Sequence, residues 1–214
     1  MPKTHTVVQG EHISRIARKY GFVNFSTVWD FAQNGDLKRL RVNPNVLFPG
    51  DKVLVPDKEA KRETAATGRR HKYVLRDRGL KLRIAIKEFG WAPVGNTPCD
   101  LKVENDTKKL TTDGGGRIEQ EIPVTAEIAK LTIRDVEYSV MIGHLDPVEE
   151  DSGLEARLNN LGYYVSPPGN RDEDELRSAI EEFQRDHDLV GAGGLPSGVS
   201  DAATQAKLKE VHGC

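Results

Sequence analysis

Three segments near the C-terminus decide the fold of that part of the chain: residues 154–163 read LEARLNNLGY, residues 176–189 read LRSAIEEFQRDHDL and residues 201–208 read DAATQAKL. In the first two segments, apolar residues recur at positions i, i+4 and i+7, which is the spacing of one face of a helix. Gly162 stands where a helix should end, and Asp172 supplies a cap for the next helix. The sequence therefore predicts three short helices around one small apolar centre, in a domain spanning residues 146–214.

The same segments carry a resemblance to a known family. A helix that ends in Leu-Gly-Tyr, a later Phe-Gln-x-x-His-x-Leu and a final Asp-x-x-Thr-x-x-x-Leu resemble the three-helix peptidoglycan-binding domain, over residues 154–212. The glycine-rich loop 190–199 departs from the family pattern because it is longer. The resemblance implies glycan contacts, and the candidate residues are Tyr163, Tyr164, Phe183, Gln184 and Arg185. Core packing is the alternative role for Phe183.

A second compact unit is predicted over residues 4–57. Alternating and helical apolar spacings predict an order of strand, helix, helix and strand, which is a βααβ module. The predicted elements are a strand over 6–9, a helix over 13–20 that Gly21 ends, a helix over 25–31 and a strand over 52–55.

This unit resembles the LysM domain in four blocks: TVVQGE at 6–11, IARKYG at 16–21, NPNVLFPGD at 43–51 and VLVP at 53–56. The resemblance implies a shallow groove for N-acetylglucosamine-containing glycans. The residues that it places in the groove are Gly10, Glu11, His12, Ile13, Asn45, Val46, Leu47 and Phe48. The basic segment 35–42 departs from the family pattern, and a LysM fold reused for docking proteins is the alternative.

Between these units, residues 58–72 are predicted to be a linker, because they carry charged and small residues without apolar periodicity. Residues 73–145 are predicted to form a small antiparallel β-sandwich of six or seven strands. Alternation predicts strands at 80–86 and 99–103, and two hairpins are expected: one around residues 113–116 and one around residues 134–135. The blocks APV at 92–94, LKV at 101–103 and TDGGGRI at 112–118 resemble immunoglobulin-like domains of the carboxypeptidase-regulatory type, which implies a spacer or adhesion module.

Composition limits the classes of function. Lys and Arg together number 31 and Asp and Glu 33, for a net charge of -2, so no nucleic-acid partner is indicated. No apolar run approaches the roughly 20 residues of a membrane helix, and the first nine residues lack a signal-peptide core. We therefore expect no membrane partner and synthesis in the cytoplasm, with delivery to the periplasm or cell wall only by a non-classical secretion machine. Cys99 and Cys214 are expected to be reduced, with Cys214 exposed and able to pair between molecules.

Catalytic chemistry is not indicated. The six histidines stand singly along the chain, and neither a metal-ligand spacing nor a cofactor motif occurs. The carboxylate runs at 149–151 and 172–175 are typical of solvated faces and helix N-termini. The sequence therefore predicts neither catalytic residues, nor a metal, nor a cofactor.

The resulting hypothesis is a multidomain α+β protein in which two wall-binding modules, held by a β spacer, bind peptidoglycan without catalysis. One alternative follows from the combined layout, particularly residues 45–51 and residues 143–148 running into 154–163, which resembles accessory proteins of type VI secretion spikes and phage-tail-like baseplates. Spike or baseplate proteins would then be the partners. A wall-targeted effector with a hidden hydrolase activity is the second alternative.

Overall fold

The structure is a computed structural model, and it describes residues 1–58, 64–72, 79–88, 92–166, 172–190 and 193–214. The chain divides into two compact units, Met1–Asn45 with Pro49–His144 and Val46–Phe48 with Leu145–Cys214. The described residues combine helices with antiparallel sheets, as predicted for an α+β protein. None of their helices has the length and apolar character needed to cross a membrane.

The N-terminal part of the first unit is an antiparallel pair of strands with several short helices between them in sequence. The elements are β1 (Lys3–Thr6), α1 (Ile13–Lys19), α2 (Ser26–Trp29), a 3₁₀ turn (Ala32–Asn34), α3 (Gly35–Arg41) and β2 (Lys52–Val55). Strand β1 pairs with β2 from Lys3↔Val55 to Thr6↔Lys52. The buried Asn34 amide joins helices to sheet, since it donates to the carbonyl oxygens of Val28 and Leu54, each at 2.8 Å, and accepts from the Leu54 amide.

Two predictions in this region were wrong. The first strand lies at Lys3–Thr6 and not at 6–9, because Gly10 turns the chain at a φ of 85° and Val7 pairs only with the loop before β2. The basic segment forms a further helix, α3, so the order is not a simple βααβ. Leu37 is the buried residue of α3, and Arg41 near its end forms hydrogen bonds of 2.8 and 3.0 Å to Asp51.

Within the described residues, six antiparallel strands follow in two sheets. They are β3 (Leu80–Ala85), β4 (Pro98–Val103), β5 (Asp106–Thr111), β6 (Arg117–Ile122), β7 (Ile128–Ile133) and β8 (Val136–Met141). One sheet has the order β3-β6 and the other the order β5-β4-β7-β8. Alternate residues of both sheets face one apolar core, in which Leu101 and Leu131 are buried. A two-sheet antiparallel arrangement was predicted.

The hairpin predicted around residues 113–116 was wrong. Strands β5 and β6 flank this turn, but β5 pairs with β4 and β6 pairs with β3, so the turn carries the chain from one sheet to the other. Gly116 has a φ of 74°, and a Cβ there would lie 2.4 Å from the Ile86 carbonyl oxygen. Glycine is required by this close approach and not by a tight hairpin. The hairpin around Arg134 and Asp135 was confirmed, since β7 and β8 are paired neighbours.

The second unit contains the three predicted helices: α4 (Asp151–Leu161), α5 (Glu173–Asp186) and α6 (Ala202–His212). Their ends follow the sequence signals. Gly162 ends α4 at a φ of 93°, Asp172 caps α5 through the amide of Asp174, and Asp201 caps α6 through the amide of Thr204. The core of the bundle is formed by fully buried side chains from each helix, namely Leu158, Phe183 and Leu208.

Parts of three predictions lie outside the described residues. They are residues 59–63 of the predicted linker, residues 73–78 at the predicted start of the β domain, and residues 191–192 of the glycine-rich loop.

Candidate functional site

The segment after α4 holds one aromatic side chain outward on a fixed backbone. The Tyr163 amide donates to the Leu158 carbonyl oxygen at 3.0 Å, and the Val165 amide donates to Asn159 Oδ1 at 2.9 Å. The amide and hydroxyl of Ser166 both donate to Glu175. Between these bonds Tyr164 is 69% exposed, whereas Tyr163 and Val165 on either side are buried. A rigidly placed, exposed tyrosine is a surface on which an apolar ring face can pack.

Tyr163 and Phe183 form the interior behind this segment. Their rings meet edge to face with centroids 5.5 Å apart, and the Tyr163 hydroxyl donates to Asp186 at 3.1 Å. Burial, with the hydrogen bond to Asp186, raises the pKa of Tyr163. Tyr163 is 2% exposed and Phe183 is fully buried, so both support the site from inside the domain.

Gln184 connects α5 to the loop that follows it. Its Nε2 donates to Ser197 Oγ at 3.1 Å, to the Val199 carbonyl oxygen at 3.0 Å and to Thr204 Oγ1 at 2.9 Å. Its Oε1 accepts from the amides of Ser197 at 2.8 Å and Gly198 at 3.0 Å. The side chain is 1% exposed, and this one amide therefore fixes the shape of residues 197–199.

The loop that Gln184 holds carries exposed apolar side chains. Leu195 is 74% exposed and Val199 is 61% exposed. Gly198 lies directly on α5, where a Cβ would come within 2.6 Å of the Arg177 side chain. Arg185, also on α5, is exposed. The sequence identified the loop as a departure from the family pattern but did not indicate that Leu195 and Val199 would be exposed.

A buried arginine connects main-chain groups from three parts of the second unit. Arg157 is 1% exposed, and its guanidinium donates to the main-chain oxygens of Asp146 at 2.8 Å, Gly153 at 2.7 Å and Cys214 at 3.0 Å. Burial lowers its pKa. Cys214 was expected to be exposed and is instead half-buried, because it lies against Arg157 and places its sulfur 3.2 Å from His212 Nδ1.

This helical unit combines an internally hydrogen-bonded loop with an exposed tyrosine. Residues 149–208 match the family model of the peptidoglycan-binding domain, which confirms the resemblance seen in the helical segments. The C-terminal part of the chain is thus a helical peptidoglycan-binding domain, and this supports binding to the cell wall. No curated protein and no solved structure matches this chain.

The first predicted groove is lined by buried residues. Glu11 is 7% exposed, with Oε2 2.7 Å from His5 Nε2 and 3.1 Å from the Val8 amide. Burial raises the pKa of Glu11, but these hydrogen bonds outweigh it and the net pKa is lowered. Ile13 is fully buried, and its amide donates to the Pro44 carbonyl oxygen at 3.0 Å.

His12 and Gly10 lie under another part of the first unit. His12 is 2% exposed, and neither of its ring nitrogens has a hydrogen-bond partner among the described residues. Burial, with the nearby charge of Arg15, lowers its pKa to about 4. A Cβ on Gly143 would lie 2.6 Å from the Gly10 carbonyl oxygen, and a Cβ on Gly10 would lie 2.8 Å from His144 Nε2. Gly143 and His144 therefore cover this side of the predicted groove.

The other predicted groove residues, Asn45 and Val46–Phe48, are assigned to different units. Asn45 is exposed and belongs to the first unit, with its amide 2.9 Å from Asn43 Oδ1. Val46 and Leu47 are buried, Phe48 is half-buried, and Val46–Phe48 belong to the second unit.

The remaining groups with catalytic or metal-binding chemistry are dispersed or buried. Within the described ranges, no group of three or more His, Cys, Asp or Glu side chains is placed to hold a metal ion. Cys99 is buried in the β core, and burial raises the pKa of its thiol. A cavity of about 290 Å³ lies between β4, β5 and β6, and its lining includes Glu104, Asp106, Lys108 and Glu121 but neither histidine nor cysteine.

Proposed function

We propose that this protein binds peptidoglycan without catalysis, and that the C-terminal domain makes the primary contact. The observation that carries the proposal is Tyr164, which is 69% exposed within a segment that hydrogen bonds hold on both sides. The match of residues 149–208 to the peptidoglycan-binding domain supports the choice of ligand.

The chemistry of the exposed side chains suits a glycan strand that carries acidic peptides. The Tyr164 ring packs on the apolar face of an N-acetylated sugar, and its fixed backbone reduces the entropy lost on binding. Arg185 pairs with a carboxylate of the stem peptide, because a guanidinium binds carboxylates with charge-assisted hydrogen bonds. Leu195 and Val199 add apolar contact on the loop that Gln184 holds.

Co-sedimentation of the full chain with purified peptidoglycan sacculi tests this proposal. Tyr164→Ala should weaken binding roughly tenfold, the loss of a central aromatic contact. Leu40→Ala is the matched control, since Leu40 is also exposed, at 64%, but lies in α3. A wild-type chain that does not pellet would refute peptidoglycan binding, and a Tyr164→Ala chain that pellets like the wild type would refute the site.

We also propose that residues 4–57 act as a second wall-binding module, in which residues 10–13 and Asn45 of the first unit contact the glycan. Two linked weak sites raise the overall affinity through effective concentration, without new contacts. In this unit Gly143 and His144 must move away before a glycan reaches Gly10 and His12. Titration with an N-acetylglucosamine oligomer, followed by NMR of the Gly10 and Asn45 amides, tests the second module. Unchanged amide shifts at saturating oligomer would refute it.

A docking role in a contractile injection machine is the second candidate. The covered state of Gly10 and His12 favours it, because a groove filled by the protein's own chain suits a structural module better than an open sugar site. Spike or baseplate proteins would be the partners, and their direct binding to the purified chain, in the absence of sacculus binding, would support this role over the first. Loss of turbidity of a sacculus suspension would instead support the hydrolase alternative.

A further inference from the structure

The two edges of the four-stranded sheet differ in their protection against pairing. Strand β5 carries Asp106, Lys108 and Lys109 among its six residues. Strand β8 carries one charge, Glu137, and its carboxylate already lies 2.6 Å from Lys130 Nζ on the neighbouring strand. Charged residues, lysine above all, are the usual protection of an edge strand against pairing with another chain. The β5 edge has this protection and the β8 edge lacks it.

Among the described strands, β7 leaves alternate hydrogen-bonding groups of the β8 main chain unpaired. The pair Ile133↔Val136 closes a two-residue turn, so Val136, Tyr138 and Val140 exchange their hydrogen bonds with β7. The N–H and C=O groups of Glu137, Ser139 and Met141 consequently point away from the sheet. Among the residues that the structure describes, β8 has only β7 as a strand neighbour.

The side chains at this edge are apolar and exposed. Tyr138 and Val136 are 49% and 48% exposed, although they pair with Leu131 and Ile133 of the buried core. Met141 is 59% exposed on the opposite face, beside Ile128. The apolar core therefore continues to the edge of the sheet without a polar boundary.

We propose that β8 is a homodimer interface, at which a second copy of this chain adds its own β8 in antiparallel orientation with the two-fold axis at Ser139. In this register Glu137 pairs with Met141 of the partner subunit, and Tyr138 pairs with Val140 of the partner subunit. All three outward-facing residues of each strand then exchange hydrogen bonds, about six in total, and the two sheets become continuous.

Electrostatics and register favour a second copy as the occupant. Glu137 meets a methionine and not another Glu137, so the single charge of the strand does not oppose itself. A shift of the two-fold axis to Tyr138 or Val140 leaves Met141 or Glu137 without an outward-facing partner. The strand is thus self-complementary in one register, as a two-fold interface requires. This inference does not depend on the proposed ligand, but a dimer would link two peptidoglycan-binding domains in one assembly.

Sedimentation velocity of the full chain over a concentration series tests the interface. Ser139→Lys places two like charges opposite each other on the axis and should weaken the dimer roughly tenfold or more. Thr111→Lys is the matched control, because it adds the same charge to the exposed end of the β5 edge and should leave the dimer intact. Circular dichroism of both variants verifies that the fold is unchanged.

A charge-complementation experiment makes the test specific for the proposed register. Ser139→Glu alone should weaken the dimer as Ser139→Lys does, whereas a one-to-one mixture of the two variants should restore it. A wild-type chain that stays monomeric throughout the concentration series would overturn the proposal. A dimer that persists in Ser139→Lys, or one that the mixture fails to restore, would also overturn it.

Discussion

Replacement of Gln184 by alanine should destabilise the C-terminal domain and release its loop. The Gln184 amide has six hydrogen-bond contacts, with Ser197, Gly198, Val199 and Thr204. In Gln184→Ala the amides of Ser197 and Gly198 turn to water, since both residues are at least partly exposed. Thr204 is 1% exposed, and its hydroxyl loses the contact with Gln184 Nε2 but keeps a hydrogen bond with the Asp201 side chain.

The expected loss in the free energy of unfolding depends on whether each released polar group can bind water instead. A hydrogen bond contributes about 1 kcal/mol net, and a buried group left without a partner costs about 1–3 kcal/mol. Because most of the released groups regain water, we expect a loss of roughly 2–4 kcal/mol in the free energy of unfolding of this domain. Gln205→Ala is the matched control: Gln205 makes only two long contacts, both of 3.4 Å, with Ser200.

Urea denaturation of the full chain provides the assay. Both tryptophans, Trp29 and Trp91, precede the C-terminal domain, so their fluorescence follows the rest of the chain as an internal reference. NMR signals of the Ser197 and Gly198 amides follow the domain itself. The reasoning is refuted if Gln184→Ala lowers the unfolding free energy no more than Gln205→Ala, or if the loop amides of the variant exchange with solvent as slowly as those of the wild type.

Three further outcomes are expected. The folded pKa of His12, about 4, lies below its unfolded value of 6.5, so the stability that neutral His12 contributes is complete above pH 6.5 and is lost as pH falls towards 4. His12→Leu should therefore remove up to about 3 kcal/mol of the loss in unfolding free energy between pH 7 and pH 4.5, measured by urea denaturation. Equal losses in the wild type and the variant would contradict this. Gly143→Ala should lower the melting temperature more than Gly50→Ala. Both glycines have a positive φ, 78° and 98°, but only the new Cβ at position 143 would lie 2.6 Å from the Gly10 carbonyl oxygen, whereas the one at position 50 meets open space. Similar shifts in the two variants would refute the close contact. Arg157→Met leaves three main-chain oxygens without their donor and should lower the unfolding free energy of the second unit by about 2–4 kcal/mol. Urea denaturation followed by NMR signals of this unit measures the change, and an unchanged midpoint would count against the expectation.

The helical domain was predictable because its signals are local. Apolar spacing within each helix, a glycine at the end of α4 and aspartates at the starts of α5 and α6 all act within a few residues. Helix α3 was missed because Leu37 is its only buried residue, and its run of basic side chains conceals that weak apolar face.

The path of the chain through the sheets was not predictable in the same way. The glycines at 114–116 indicate a reversal, but the choice of neighbour for β6 depends on residues around position 84, far away in sequence. A local turn signal carries no information about which sheet receives the next strand.

The candidate site was predicted in part. The Leu-Gly-Tyr-Tyr run predicts both tyrosines as candidates, but only the extended alternation after Gly162 determines that Tyr163 is buried and Tyr164 exposed. Arg157 occupies an apolar-face position between Leu154 and Leu158, and this spacing was the available signal for its burial.

Strands β3 and β6 are paired in space but far apart in sequence, and this separation affects the order in which the strands fold. Strands β7 and β8 are joined by two residues, and so are β4 and β5, whereas Leu80 must find Ile122 across the intervening strands. Closing a long loop costs entropy before any contact compensates for it, so the two local hairpins should form early and the β3-β6 ribbon should close over them last. Until the β3-β6 ribbon closes, Leu101 and Leu131 are exposed to solvent. A newly synthesised chain is therefore most prone to aggregation during this interval.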